Sequence, residues 1–105
     1  MNNLATDHGT GANRLASVYE AVDAVLAQSG GVPPGAIGLL HRSIDAMRAE
    51  SAGDPFVARA EAIALAIHRL RIALHDRGDD TLHRRLRKEL EMLGREWIEA
   101  TPLFH

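Results

Sequence analysis

Apolar residues recur along this chain at spacings of three and four, in four separate runs. That spacing places each run on one side of a helix, and no stretch alternates as a strand would. Leu15, Val18, Tyr19, Val22, Val25 and Leu26 make the first stripe, which predicts a helix from near Ala12 to Gln28, closed by Gly30 and Gly31. Glu20 and Asp23 fall off that stripe. Val32-Pro33-Pro34-Gly35 then reads as a stiff connection, extended before its prolines. Ile37, Leu40, Ile44 and Met47 predict a second helix from Pro34 to near Ser51. The last run is Leu82, Leu86, Leu90, Leu93 and Trp97, with Arg84, Lys88 and Arg95 opposite. It predicts a helix capped by Asp79 or Asp80, running to about Ala100 and stopped by Thr101-Pro102.

The third run, within Asp54–Gly78, differs from the others. Asp54 is a good N-cap, Pro55 suits the first helical position, and Gly78 can end a helix in the left-handed conformation. Phe56, Ala60, Ile63, Ile67, Leu70 and Leu74 form one apolar stripe. Leu65 and Ile72 fall on nearly the opposite side, with Ala58 and Ala62 beside them. A helix that is apolar on two sides is usually covered on both. The cover would come from helices of the same chain or from a second copy. Arg69 and Glu61 flank this second side and would form a polar rim.

Four amphipathic segments with short connections predict an all-α fold: a compact antiparallel bundle of four helices, the third and fourth forming a long hairpin. Residues 1–11 read as a polar tail, 12–101 as a single helical domain, and 102–105 as a short apolar tail. The length of 105 residues suits that single domain.

Composition narrows the chemistry. There are no cysteines, which removes disulfides and thiolate metal sites. No apolar run approaches the length that spans a bilayer. The N-terminal stretch shows no basic segment followed by an apolar core, so the expected location is the cytoplasm. Eleven of the 12 basic residues are arginine, which, with the many alanines, suggests a GC-rich bacterial genome. Net charge is −2 but uneven: residues 67–88 carry seven basic and three acidic side chains, between two segments with an excess of acid.

The basic stretch offers Arg84, Arg87 and Lys88 as a patch for nucleic acid. A helix–turn–helix does not fit it, because Asp79 follows Gly78 where that motif needs an apolar residue. No aromatic residue interleaves the arginines for base stacking. Ordinary ion pairs on solvated helix faces, such as Arg85 with Glu89, account better for these charges. His68 and His75 lie seven apart, too far along a helix to share one ion, so no metal site is expected. The sequence offers no activated nucleophile, phosphate-binding glycine loop or cofactor motif.

His68-Arg69-Leu70-Arg71 resembles the start of the phosphoacceptor motif of histidine-phosphotransfer domains, with Gly78 at a similar distance to that family's later glycine. The resemblance implies a helical bundle of about this size with His68 as phosphoacceptor. Ile72 stands where that family has a small glycine, and Arg71 replaces its lysine.

The leading expectation is a non-enzymatic interaction or regulatory module of the adaptor or inhibitor type. It would pair with itself as a homodimer and with an unidentified protein through Ala58, Ala62, Leu65, Arg69 and Ile72. Phosphotransfer at His68 and nucleic-acid binding around residues 69–88 are its rivals.

Overall fold

The computed structural model describes residues 10–28, 31–50, 53–75 and 80–101, with side chains from Arg14 onward. The helices are α1 (Thr10–Leu26), α2 (Pro34–Glu50), α3 (Pro55–Leu74) and α4 (Asp80–Ala100). They form the expected all-α four-helix bundle. Most of the polar tail, the apolar tail at 102–105 and the turn at Gly78-Asp79 lie outside the described residues.

Contacts between helix ends fix the antiparallel course. Arg14 near the start of α1 pairs with Glu50 and reaches Ala46 O (3.5 Å), both near the end of α2. Trp97 near the end of α4 donates to Leu15 O (2.9 Å). Phe56 at the start of α3 meets Trp97 edge-on, with ring centroids 5.5 Å apart. Each helix packs on the next and α4 returns to α1, while α1 and α3 also touch across the diagonal. The closer diagonal follows from small side chains. The interior of α1 is Val18, Ala21, Val22 and Val25, and α3 offers Ala60, Ala66 and Ala73.

The core is one cluster drawn from all four stripes. Ile63, Ile67, Leu70, Leu40 and Leu90 are almost wholly enclosed, each the kind of burial that stabilises by about 1.5–3 kcal/mol per side chain. The core stripe of α3 is wider than the spacing predicts, because Val57, Ala66 and Ala73 are buried as well.

The start of α3 matches the sequence reading. Asp54 has extended backbone (φ −64°, ψ 127°), its carboxylate accepts from the Phe56 amide at 2.9 Å, and Pro55 follows at the first helical position. The far end differs. The helix stops at Leu74, where the His75 amide bonds to Ile72 O at 3.1 Å in a tightened last turn. A ring nitrogen of His83, from α4, takes the Ala73 carbonyl at 2.6 Å. α1 likewise ends at Leu26, two residues short of the expected Gln28, with the Gln28 amide reaching back to Val25 O.

Candidate functional site

α3 has its core side toward the other three helices, so its opposite side faces outward. Ala58, Ala62, Leu65, Arg69 and Ile72 all lie exposed there. Leu65 is 49% and Ile72 56% accessible, and α1 does not cover them. α4 lies alongside and extends this surface. Ile72 and Arg69 share a shallow hollow of about 400 Å³ with Leu82 and Leu86. Further along, Ala58 and Ala62 share a second hollow, about 270 Å³, with Leu93 and Glu96. Met92, 57% accessible, continues the surface with Leu93 and Glu96. Leu65, Ile72 and Met92 are the large hydrophobic side chains left exposed among the described residues, and all three belong to this hairpin.

Charges divide the face. Arg69 stands 3.9 Å from Glu89 across the hairpin, with both side chains partly open to solvent. Glu89 therefore faces α3 and not Arg85 one turn back on its own helix. Glu61, expected on the rim, instead pairs with Arg48 of α2 and ties α2 to α3. The α4 half of the face was not foreseen from the sequence. Leu82 and Leu93 read there as plain core positions, and their partial exposure depends on how α4 sits against α3. Met92 did leave a signal: it is a large apolar residue between Glu91 and Arg95, off the α4 stripe.

Scans against protein-family models, curated proteins and solved structures found no match.

The other candidate residues fall elsewhere. His68 is exposed on the α2 side of α3, beside a small groove that also takes in His41 and Arg71. Arg71 Nη2 lies 3.0 Å from His68 Nδ1. The guanidinium can only donate in that contact, which places a cation beside the His68 ring. Among the described residues, no group of three or more metal-ligating side chains converges.

Of the basic patch, Arg87 is half-buried and donates to Leu26 O (2.6 Å) and Gln28 O (2.7 Å) at the end of α1. Arg84 and Lys88 remain exposed on α4. No helix among the described residues is long and apolar enough to cross a membrane.

Proposed function

We propose that this chain is a non-enzymatic helical interaction module of the regulatory or adaptor type, and that it forms a homodimer through the outer face of the α3–α4 hairpin. The observation that carries this reading is the exposure of Leu65, Ile72 and Met92 on one hairpin. Single exposed hydrophobics are ordinary on any surface, whereas several on one hairpin, beside apolar hollows, favour an interaction site. A two-fold contact is the commonest way for such a face to be covered. In the basic stretch, Arg87 is spent on α1 carbonyls, which weakens the case for nucleic acid.

The test is sedimentation equilibrium at micromolar concentration, on the natural chain and on a variant carrying Leu65→Arg and Ile72→Glu. The natural chain is expected to be dimeric. The variant is expected to be a folded, helical monomer, because neither side chain contributes to the core. A dimer unchanged by both substitutions would refute this face.

A further inference from the structure

The hairpin face carries its charges in an order that selects one way of pairing two copies. α3 and α4 run antiparallel, with Arg69 level with Glu89. On one side of that level lie Ile72 of α3 with Leu82 and Leu86 of α4. On the other lie Ala62 and Leu93, with Leu65 between Ala62 and Arg69 in the chain. Two such faces can meet about a two-fold axis lying along the helices or across them. An axis across the helices sets α3 on the partner's α3, and, when centred on this pair, opposes Arg69 to the partner's Arg69 and Glu89 to the partner's Glu89. Sliding that axis to Leu65 brings Arg69 to the partner's Glu61, which Arg48 already holds, and sets Glu89 against the turn of the partner's Glu96. An axis along the helices sets α3 on the partner's α4 at the same level. Arg69 then faces the partner's Glu89, Ile72 faces the partner's Leu82 and Leu86, and Leu65 faces the partner's Leu93. Like charges opposed across an interface are disfavoured, and opposite ones fix register.

We propose that the occupant of this face is a second copy of the chain, docked about a two-fold axis parallel to the hairpin, with Arg69 and Glu89 exchanging partners between the copies. This rests on the homodimer reading and adds its symmetry and its charge pairing. The Arg69–Glu89 contact within one chain is long and open to solvent, so both groups are free to take a second partner.

The experiment uses the double exchange Arg69→Glu with Glu89→Arg, which keeps the pair within each chain. Its mass equals that of the natural chain, so the latter is labelled with nitrogen-15 and mixtures are read by native mass spectrometry. The double variant is expected to dimerise with itself as tightly as the natural chain does. In every mixed pair with the natural chain, one contact would oppose two guanidinium groups and the other would oppose two carboxylates. Random mixing gives about one half mixed dimers, and the pairing proposed here lowers that to below about one fifth at low salt. Added salt should return it toward one half.

A random mixture at low salt would overturn the exchange, and an excess of mixed dimers would overturn it in favour of the axis across the helices. A natural chain that stays monomeric would instead overturn the homodimer reading itself. Should the double variant not fold, the single variants Arg69→Glu and Glu89→Arg are mixed with each other. Each is then expected to dimerise with itself more weakly than the natural chain does and to be rescued by the other, and self-association as tight as the natural chain's would overturn the exchange.

Discussion

A methyl group added at Gly94 would stand 3.0 Å from Val22 Cγ1, with Tyr19 close behind. Gly94 lies inside α4 and is buried, so its missing side chain is what lets α4 approach α1. Glycine inside a helix costs about 1 kcal/mol relative to alanine, and overpacking a core costs about 1–3 kcal/mol. The two effects oppose each other at this position. Gly94→Ala is therefore expected to gain nothing, or to lose up to about 2 kcal/mol, in the natural background. In a Val22→Ala background the obstruction is gone, and the same change should stabilise by about 0.5–1 kcal/mol. Urea unfolding of the four chains in this cycle measures the coupling. Equal effects in both backgrounds would show that Val22 does not limit the approach.

At the scale of the helix, the last turns are closed by side chains from elsewhere in the chain. A helix leaves its final carbonyls without partners, and its C-terminus favours positive charge. Arg87 of α4 serves the end of α1 and His83 of α4 serves the end of α3, while Arg14 of α1 pairs with Glu50 in the last turn of α2. α4 closes with its own Thr101, whose buried hydroxyl donates to Trp97 O. Charged hydrogen bonds of this kind contribute about 1.5–3 kcal/mol, and Arg87 makes two. Arg87→Met should accordingly destabilise the protein by about 1.5–3 kcal/mol, while Arg84→Met, on the exposed side, should stay within about 0.5 kcal/mol. Equal losses in denaturant melts would mean that Arg87 acts only through its stem.

The helices themselves were legible because each has an uninterrupted apolar stripe and local stop signals, as Asp54-Pro55 illustrates. Their C-terminal ends were less so. The closure of α1 depends on Arg87, some 60 residues away (|i−j| of 59 and 61), and no local pattern encodes that. The proposed interaction face divides in the same way. Its α3 half, from Ala58 to Ile72, showed as a second apolar side. Its α4 half emerges only when the packing of α4 on α3 leaves Leu82 and Leu93 partly open. For Arg87, composition pointed to a basic patch, and tertiary structure adds a role in closing the end of α1.

For the molecule as a whole, the proposed dimer would tie stability to association. A chain that dimerises through Leu65, Ile72 and Met92 unfolds from a bound state, so its melting temperature should rise with protein concentration. Calorimetry across a hundredfold range of concentration is expected to show that rise in the natural chain and its absence with Leu65→Arg and Ile72→Glu. A melting temperature independent of concentration in both would count against a dimer that contributes to stability.

The reach of Arg87 from α4 back to the end of α1 also has a kinetic consequence. The α1–α2 and α3–α4 hairpins join sequence neighbours, and local contacts of that kind form early. The Leu26 and Gln28 carbonyls receive their donor only when the two hairpins come together. The final turn of α1 is then among the last parts of the bundle to lock, and any fluctuation that lifts α4 away releases it at the same moment. Amide protons in that turn would exchange on the schedule of α4 opening, not on that of a fraying helix end.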